Sequence, residues 1–427
     1  MKNKAYIIDY ELISPITLGK DSLHENLRKN QTGENLVTRF DTRGMPFKVG
    51  AEVQEDLKHL YKNEDERIRA ACYYDRKFEL LVACYHLAEK RFKPLIEELR
   101  PSRGGVVLGV GSDVTKMEEF EADFIEISKT SNAPYKELIA TQNTQKGRLN
   151  KIWNPYDIHA IYLAGKLHLA AFQNSILTAC TSSTQAIAFG FDAIKNDAAD
   201  LVVCGGTDSI INNIALASFG KLGVITESDG TNTPTCIPFD TNRKGTLAAE
   251  AAGLVVLVSE DYAKKQNLTP IAELVSYGNT LDGYKITAPD PSGKAMQRAI
   301  RTAIVKGDIS PKEIDYIQAH GTGTRHNDQI EADAIKAVFA EAAKDVLISS
   351  TKDRHGHAIA AAGVQEFNIL LNCLEHDFIP GMVNLRHPLD EDLNFVRQNK
   401  TQSIQYALTN NFAFGGVNTS ILVKNIQ

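Results

Sequence analysis

Long hydrophobic runs are absent from this chain of 427 residues, and none approaches the ~20 apolar residues that a membrane-spanning helix needs. The 6 cysteines have neither close pairs nor the spacing of metal ligands, which argues against a disulfide framework. Lysine and arginine (47) do not exceed aspartate and glutamate (53), so no basic field exists for nucleic acid or anionic lipid. We therefore expect a cytoplasmic protein with reduced thiols, and neither a membrane nor a nucleic acid as its partner.

What the chain does have is apolar side chains in the amount that a large core requires, at 43% hydrophobic residues. Short apolar runs alternate with longer amphipathic ones, which is the pattern of a layered α/β protein. Predicted strands fall at 5–9, 105–109, 175–178, 201–204, 253–258, 271–275, 314–317, 346–349, 405–408 and 420–423. Predicted helices fall at 67–90, 181–196, 293–305, 328–340 and 358–374.

The layout of the chain contains an echo, which means that one order of elements occurs twice along the sequence. A predicted strand leads into residues 179–183 (Ala-Cys-Thr-Ser-Ser) and then into an alanine-rich helix. Later, a strand at 346–350 leads through Gly356 and His357 into another alanine-rich helix. This echo predicts two similar halves that meet near residue 265.

Cys180 is the first candidate for chemistry, because it follows a strand and opens a helix. A thiol at a helix N-terminus lies near free backbone amides, whose partial positive charge lowers the thiol pKa and favours the thiolate. The alternative is a buried, unreactive cysteine that serves as a small apolar side chain.

His320 is the second candidate, in the segment 319–324 (Ala-His-Gly-Thr-Gly-Thr) directly after a predicted strand. Small neighbours leave the imidazole room to face a cleft, and the hydroxyls of Thr322 and Thr324 are suited to bind a polar ligand chain. The alternative is a glycine-rich turn with a hydrogen-bonded histidine.

Lys352, His355 and His357 form the third candidate group. His357 begins a helix of small residues, where the helix dipole disfavours its protonation and leaves a neutral imidazole that can donate a hydrogen bond. Lys352 adds a fixed positive charge nearby. His355 and His357 have no further ligands at zinc-type spacing, so a metal site is not favoured.

The fourth candidate is the segment 409–418 between two late strands. Adjacent glycines after Phe414 suggest that backbone lies close to a ligand, with the aromatic ring as a gate. An ordinary hairpin turn is the alternative.

Together these segments resemble the β-ketoacyl-acyl-carrier-protein synthases, in particular the elongating condensing enzymes of type II fatty acid and polyketide synthesis. The resemblance rests on 178–183 (Thr-Ala-Cys-Thr-Ser-Ser), 238–245 (Pro-Phe-Asp-Thr-Asn-Arg-Lys-Gly), 319–324, 350–352 with Gly356 and His357, and 411–418 (Asn-Phe-Ala-Phe-Gly-Gly-Val-Asn). One such motif is weak, whereas several in order over nearly the whole chain are strong.

The resemblance implies a thiolase-like fold, in which two similar α/β halves make a five-layered α-β-α-β-α body. The halves would be residues 1–262, with the nucleophile, and 263–427, with the two histidines. It also implies a dimer, formed either by two copies of this chain or with a homologous chain-length factor, and an acyl carrier protein as the partner that delivers acyl groups on phosphopantetheine.

The resemblance also implies roles for individual residues. Cys180 would accept the acyl group, while His320 and His357 would stabilise the enolate that forms when malonyl thioester loses carbon dioxide. The backbone amides of Cys180 and Phe414 would form an oxyanion hole, and no metal or redox cofactor would be needed. Further roles are implied for Lys352, which would order the site; Glu366 and Asp328, which would support it; and Thr322, Thr324 and Phe414, which would contact the pantetheine arm.

The sequence departs from the family pattern at Ala413, Val417, Ala249 and Ala251, where glycine or threonine is usual, and at residues 353–355. Added bulk at such positions is expected to narrow or redirect the acyl channel. The acyl chain length, and the choice between fatty acid and specialised polyketide or polyene synthesis, therefore stay open at this point.

Three alternatives also stay open. The chain is the catalytic subunit of a ketosynthase–chain-length-factor heterodimer, or a cysteine-dependent thioester hydrolase, or a non-catalytic module that binds acyl carrier protein through exposed basic residues such as Arg76 and Lys77. The hydrolase would not need a second histidine together with Lys352.

Overall fold

A computed structural model describes residues 4–112, 156–231 and 234–427. Its strands are β1 Ala5–Ser14, β2 Thr17–Leu18, β3 Glu34–Leu36, β4 Val49–Ala51, β5 Gly104–Val110, β6 Phe172–Ile176, β7 Leu201–Ser209, β8 Glu250–Ser259, β9 Ala272–Leu281, β10 Tyr316–Gln318, β11 Leu347–Ser349, β12 Phe378–Ile379, β13 Lys400–Thr401, β14 Tyr406–Phe412 and β15 Val417–Asn425. Its α-helices are α1 Lys20–Arg28, α2 Glu66–Tyr74, α3 Arg76–Ile96, α4 Ile158–Leu167, α5 Ser182–Lys195, α6 Asn213–Lys221, α7 Glu260–Lys265, α8 Lys294–Lys306, α9 Arg325–Phe339, α10 Lys352–His355 and α11 Ala362–His376.

The main sheet runs in the order β11-β10-β14-β15-β9-β1-β8-β7-β5-β6, with β2 paired to β1. Read outward from its middle, the strands β1-β8-β7-β5-β6 and β9-β15-β14-β10-β11 repeat one order. If the five strands of each set are numbered by their order along the chain, both sets have the same spatial order, 1-5-4-2-3. The two sets join where β1 pairs antiparallel with β9, from Ala5 opposite Leu274 to Ile7 opposite Ala272. The echo in the sequence therefore corresponds to a repeated topology.

Five layers follow from the way the helices cover this sheet. α3 and α4 pack on the outer face of the first set of strands, around Phe78, Leu81 and Leu254. α8 and α9 close a second core with the other set, around Ile300 and Ile335.

Between the two sets lie α5 and α11, which contribute Ile187 and Phe367 to a third, central core. Apolar faces on both sides of each sheet layer explain why the strands read as short continuous apolar runs rather than as alternating ones.

The predicted helix over 67–90 is wrong in one respect, because the chain forms two helices there instead of one. The break is Asp75, whose backbone is extended (φ −128°, ψ 106°). Its carboxylate accepts the backbone N–H groups of Lys77 (2.9 Å) and Phe78 (3.4 Å), which makes it the N-cap of α3. An aspartate inside an amphipathic pattern competes for backbone hydrogen bonds in this way.

The boundary predicted at residues 262 and 263 falls inside α7, which connects β8 to β9. The division into 1–262 and 263–427 stays a prediction, and residues 1–3, 113–155 and 232–233 of the first range lie outside the described residues. Across the described ranges, the helices are all too short or too polar to cross a lipid bilayer.

Candidate active site

The turn that carries Cys180 connects β6 to α5 and is tightly wound. Ala179 adopts a positive φ of 50°, which is rare for a residue other than glycine. A 3-10 turn over Ala179–Thr181 then leads into α5. The Ser182 hydroxyl accepts the backbone N–H of Thr178 (2.8 Å) and donates to the carbonyl of Ala179 (2.7 Å), so the turn is closed on itself. Cys180 thus sits at the start of a central helix, as predicted, and it is 4% exposed.

His320 follows β10, and its backbone is fixed by two acidic side chains of α9. Glu331 accepts the N–H groups of His320 and Gly321, both at 2.8 Å. Asp328 accepts those of Thr322 (2.9 Å) and Gly323 (3.0 Å). Both carboxylates are fully buried. The turn after β10 is therefore held by four hydrogen bonds to two buried carboxyl groups, and burial raises the pKa of both, that of Glu331 to about 7.

Lys352 and His357 flank α10, the single helical turn after β11. Gly356 between them has a φ of 71°, and a Cβ there would lie 2.8 Å from the backbone carbonyl of Leu247. Only glycine fits this position without a shift of backbone. The N–H of His357 then donates to the same Leu247 carbonyl (2.7 Å), which aims the imidazole toward the start of α5.

These turns bring one thiol and two imidazoles together. The Nε2 atom of His357 lies 3.1 Å from the Sγ atom of Cys180, and the centroids of the His320 and His357 rings are 5.3 Å apart. One nitrogen of each ring and the sulfur all lie within 4.8 Å of one another. The sequence analysis placed these three residues in one pocket, and the geometry agrees with that placement.

Lys352 lies behind His320 rather than beside the thiol. Its Nζ atom forms an ion pair with Glu366, donates to the backbone carbonyl of His320 (2.6 Å) and lies 3.3 Å from His320 Nδ1. Lys352 and Glu366 are both fully buried. The predicted support residue Glu366 therefore lies where it can compensate the charge of Lys352 and hold it in place.

The expectation that Cys180 is a low-pKa thiolate is wrong. Burial raises the pKa of the Cys180 thiol to about 12, and it outweighs the lowering effects of Lys352 and of the backbone N–H groups of Phe414 and Cys180. The sequence shows the helix terminus but not the depth of the site, so the expectation lacked the larger effect. Formation of the thiolate here requires a proton acceptor, and His357 lies within hydrogen-bond reach.

Both site histidines are held neutral, as predicted for His357. Burial, followed by the charge of Lys352, lowers the pKa of His320 and of His357 well below the usual value for histidine. The helix dipole was the predicted cause, whereas desolvation and Lys352 are the larger ones. A neutral imidazole can donate a hydrogen bond without carrying charge, and it can also act as a base that takes up one proton and becomes positively charged.

The backbone of Phe414 faces the thiol, and its ring faces the cavity. Phe414 lies in the turn between β14 and β15, followed by Gly415 (φ 82°) and Gly416 (φ 77°). Its N–H group and that of Cys180 both interact with the sulfur. The oxyanion hole expected from these two amides stays a prediction, because it requires donors aimed at the oxygen of the reacting carbonyl. The ring stacks against Phe219, with centroids 6.5 Å apart. The sequence analysis considered either a hairpin turn or a loop that faces a ligand for this segment, and the segment is a hairpin turn that faces the cavity.

The site lies in a cavity of about 320 Å³. Thr322 and Thr324 line the cavity, and their hydroxyl oxygens are 2.8 Å apart. Apolar walls come from Phe219, Leu222 and Ile225. The exposed basic residues Lys244 and Arg325 also line the cavity. An elongated substrate with a polar arm and an apolar tail matches this distribution of side chains.

Two residues of the site were not predicted. Glu331 holds the His320 turn, and Asn411 of β14 contacts Glu366, His320 and Thr184. Glu331 had a weak signal, since it lies three residues after Asp328 on the apolar face of a predicted helix. Asn411 lies in the segment 411–418 that carries the resemblance, but its side chain was given no role, because its partners are distant in the sequence.

The suggestion that Arg76 and Lys77 dock a carrier protein is wrong. Arg76 pairs with Glu250 (2.7 Å) and Glu79 (2.6 Å), and Lys77 pairs with Asp75 (3.2 Å). Their side chains are 14% and 4% exposed, so these bases are internal ion pairs and not a docking surface.

The four departures from the family pattern lie in different surroundings. Ala413 lines the cavity. Ala249 and Ala251 are fully buried in the central core, and Val417 begins β15. Their effect on the acyl channel stays a prediction, with Ala413 as the one that lies at the site.

A thiol and two imidazoles also have the composition of a metal-binding set. The ammonium group of Lys352 lies 3.3 Å from His320 Nδ1, and its positive charge would repel a metal cation bound to these residues. His355 is not available as a ligand, since its ring nitrogens contact the hydroxyl of Thr351 (2.9 Å) and the carbonyl of Gly356 (2.8 Å). We therefore assign no metal to these residues.

Two α/β halves with one repeated strand order, and a buried cysteine and two histidines where they meet, define a thiolase-like enzyme. Among solved structures, the ishigamide ketosynthase/chain length factor has a TM-score of 0.84 at 25% identity, with both chains covered completely. The AntDE:AntF complex, a type II polyketide synthase acyl-carrier protein with its ketosynthase, has a TM-score of 0.82 at 24% identity over the whole of both chains. The predicted fold class is confirmed.

Sequence comparison identifies the family. Residues 5–263 match the family described as beta-ketoacyl synthase, N-terminal domain, and residues 271–386 match its C-terminal domain. The 3-oxoacyl-[acyl-carrier-protein] synthase 2 of Staphylococcus aureus is 30% identical over 97% of this chain and 96% of its own. That of Synechocystis sp. is 28% identical over 100% of this chain and 99% of its own. The chain belongs to the β-ketoacyl synthase family of condensing enzymes, which confirms the resemblance.

Proposed function

We propose that this chain catalyses the decarboxylating condensation of an acyl group held on Cys180 with malonyl-acyl-carrier protein, to give 3-oxoacyl-acyl-carrier protein. One observation carries the proposal: a thiol and two neutral imidazoles lie within 4.8 Å of one another in a single cavity lined by the Thr322 and Thr324 hydroxyls. The reaction needs one nucleophile and two donors of this kind.

The first half-reaction transfers the acyl group to the enzyme. His357 accepts the proton of the Cys180 thiol across 3.1 Å, and the sulfur attacks the carbonyl carbon of the acyl thioester. The N–H groups of Cys180 and Phe414 stabilise the oxyanion of the tetrahedral intermediate, which then expels the carrier thiol. The carrier thiolate takes the proton from His357 as it leaves, so His357 is neutral again and Cys180 is left as a thioester.

The second half-reaction forms the carbon–carbon bond. The malonyl thioester loses carbon dioxide, and the electron pair of the broken bond moves into an enolate, whose oxygen accepts hydrogen bonds from His320 and His357. The enolate carbon attacks the Cys180 thioester, and the thiolate leaves. Stabilisation of developing negative charge by preorganised donors is commonly the largest contribution in such sites.

An acyl carrier protein is the proposed source of both thioesters, because the relatives from S. aureus and Synechocystis are named for it. Lys244 and Arg325, which are exposed and line the cavity, are suited to attract an acidic carrier and the phosphate of its arm. This pair replaces Arg76 and Lys77 as the proposed basic contact. The acyl groups arrive on phosphopantetheine, and we propose no further cofactor.

We also propose that the chain acts as a dimer. Within the described residues β6 is the edge strand at one end of the sheet, and its outer edge is unpaired. Three exposed apolar side chains lie near it, Ile161 (49%), Leu177 (42%) and Phe189 (41%). An unpaired edge with apolar neighbours is a ready surface for a second, similar chain. The partner is a second copy or a homologous chain-length factor, and light scattering of the purified chain alone distinguishes the two.

The test is intact-mass spectrometry of the protein with a panel of acyl-carrier thioesters, followed by malonyl-carrier protein and product analysis. We expect a mass gain of one acyl group at Cys180, and then carbon dioxide and a 3-oxoacyl carrier. Free acid in place of the 3-oxoacyl product would instead show the thioester hydrolase.

Matched histidine variants separate the two half-reactions. His357→Ala is expected to slow acylation and decarboxylation by about 100-fold, the usual range for a lost acid–base group. His320→Ala is expected to slow decarboxylation by a similar factor and to leave acylation within a few-fold. Unchanged carbon dioxide release in both variants would contradict the proposed roles.

A further inference from the structure

Asn411 is fully buried behind the site, and although it opens the segment 411–418, no role was predicted for its side chain. Its amide nitrogen donates to Glu366 Oε2 (2.6 Å) and lies 3.4 Å from His320 Nδ1. Its amide oxygen accepts the hydroxyl hydrogen of Thr184 (2.6 Å), on the first turn of α5. One side chain therefore contacts the nucleophile helix, the Lys352 ion pair and a site histidine.

These partners fix which way the amide points. A carboxylate in an ion pair only accepts hydrogen bonds, so the NH₂ group must face Glu366, and the oxygen must face Thr184. The NH₂ group then also faces His320 Nδ1. Lys352, whose ammonium group has only donors, lies 3.3 Å from the same nitrogen. Neither of these two neighbours can accept a proton from Nδ1 of His320, while a ring N–H group also interacts with the backbone carbonyl of Phe412.

The consequence concerns the other ring nitrogen. A neutral imidazole carries one proton, and if Nδ1 is an acceptor the proton is on Nε2. We propose that Asn411 is a positioning residue that keeps His320 in the Nε2–H tautomer, so that this group donates a hydrogen bond to the enolate oxygen. The inference rests on the proposed function and adds to it the residue that sets the donor.

Asn411 is suited to this task because β14 places it between the halves. Thr184, whose hydroxyl donates to the amide oxygen of Asn411, follows Cys180 by one helical turn. His320 and Glu366, which the NH₂ group of Asn411 faces, come from the second half. The amide thus ties the orientation of the donor histidine to the position of the nucleophile. A rotation of the amide would break two short hydrogen bonds, which in a buried site costs far more than in water.

The test compares two half-reactions in one variant. In Asn411→Ala, carbon dioxide release from malonyl-carrier protein is expected to fall about tenfold or more, the usual effect of a lost hydrogen bond to a buried charged network. Acylation of Cys180, followed by intact mass, is expected to change by no more than about threefold. The control is Asn372→Ala, which also removes a buried amide, one that donates to the hydroxyl of Tyr10 at 3.4 Å. Both half-reactions are expected to stay at the wild-type rate in this control.

Asn411→Asp gives a second readout that a purely structural role would not produce. The carboxylate accepts a hydrogen bond from Nδ1–H, so neutral His320 would change to the Nδ1–H tautomer, and Nε2 would donate only while the ring is doubly protonated. Decarboxylation by this variant is therefore expected to fall as pH rises across about 6 to 9, the range in which histidines near carboxylates titrate. The groups around His320 are Lys352, Glu366, Glu331, His357 and Cys180, which are shared with the wild type; the new carboxyl group also faces Glu366, so the two carboxyl groups share one proton. The difference between the two pH profiles therefore reports the substitution.

Three outcomes decide the matter. Selective loss of decarboxylation in Asn411→Ala, with an inverted pH profile in Asn411→Asp, supports the inference. Equal loss of both half-reactions in Asn411→Ala overturns it, as does a pH profile of Asn411→Asp parallel to that of the wild type. If Asn411→Asp does not fold, the partition in Asn411→Ala decides alone. Absence of carbon dioxide release from the wild type would instead contradict the proposed function.

Discussion

The turn before α5 and the turn before α11 have the same backbone conformation. In the first, Ala179 has a φ of 50° and leads into the 3-10 turn that holds Cys180. In the second, Ile359 has a φ of 38° and leads into a 3-10 turn at the same distance from its helix. Ala360 takes the place there that Cys180 takes in the first turn.

The difference lies in what each turn does with its backbone amide. The N–H of Ala360 donates to the carboxylate of Asp208 (3.0 Å), so that amide is already used. The N–H of Cys180 interacts with its own sulfur and faces the cavity. In the first half the backbone amide of the turn is therefore free to bind an oxyanion, whereas in the second half the corresponding amide is already bonded to a side chain. A repeated fold thus provides one reactive position, because the environment of the amide differs.

The largest expected effect comes from moving the thiol between the two turns. Cys180→Ala is expected to abolish the acyl adduct, a loss of about 1000-fold or more for a covalent nucleophile. Adding Ala360→Cys is expected not to restore it, because the amide there is bound to Asp208. Intact mass after incubation with acyl-carrier thioester measures both variants. An acyl adduct on the double variant would show that the turn alone is sufficient.

The second prediction concerns the proton on Cys180. Burial raises its pKa to about 12, so its alkylation by iodoacetamide is expected to rise about tenfold per pH unit from roughly pH 7 to 10. Alkylation of Cys180→Ala under the same conditions gives the contribution of the other cysteines. A rate that is already level below about pH 8 would mean a preformed thiolate and would restore the sequence-based expectation.

The third prediction concerns the crossing of the two central helices. A Cβ on Gly363 would lie 1.9 Å from the Thr184 hydroxyl and 2.9 Å from its backbone nitrogen. Gly363→Ala is therefore expected to lower the free energy of unfolding by about 1 to 3 kcal/mol through overpacking. The matched control is Gly165→Ala in α4, where a Cβ meets nothing within 4 Å. That control is expected to be neutral or stabilising by up to about 1 kcal/mol. Urea unfolding of both variants measures the contrast, and equal stabilities would contradict close contact at this crossing.

The smallest expected effect tests the strain in the nucleophile turn. A left-handed conformation costs alanine about 1 to 2 kcal/mol, whereas glycine adopts it freely but loses more backbone entropy on folding. Ala179→Gly is therefore expected to change the free energy of unfolding by no more than about 1 kcal/mol, with a gain as the expected sign. Urea unfolding against the wild type measures it. A loss larger than that would indicate that the methyl group of Ala179 has a packing role.

The sequence located the parts of the site that have a local signature. Cys180, His320 and His357 each follow a strand and begin a turn of small residues, so both their elements and their spacing were visible. Most strands of the main sheet were predicted for a similar reason, since each sheet layer is covered on both faces and most of its strands contain a short apolar run. These features depend on residues that are neighbours in the chain.

What the sequence could not show depends on contacts between distant segments. Asn411 acquires its partners only when β14 packs against α5 and α11, and Arg76 becomes an internal ion pair only when Glu250 of β8 lies next to it. The pKa of Cys180 depends on how deeply the turn is buried, which no local pattern records. Asp75 is the opposite case, since a single side chain ended a helix that the periodicity predicted to continue.

The depth of Cys180 has a consequence for timing. The first substrate must leave before the second can bind, so the thioester on Cys180 has to wait through an exchange of carriers. At 4% exposure the sulfur offers bulk solvent almost no path of attack during that interval. The same desolvation that makes the free thiol less reactive therefore protects the acyl thioester on Cys180 from hydrolysis while one carrier is exchanged for the next.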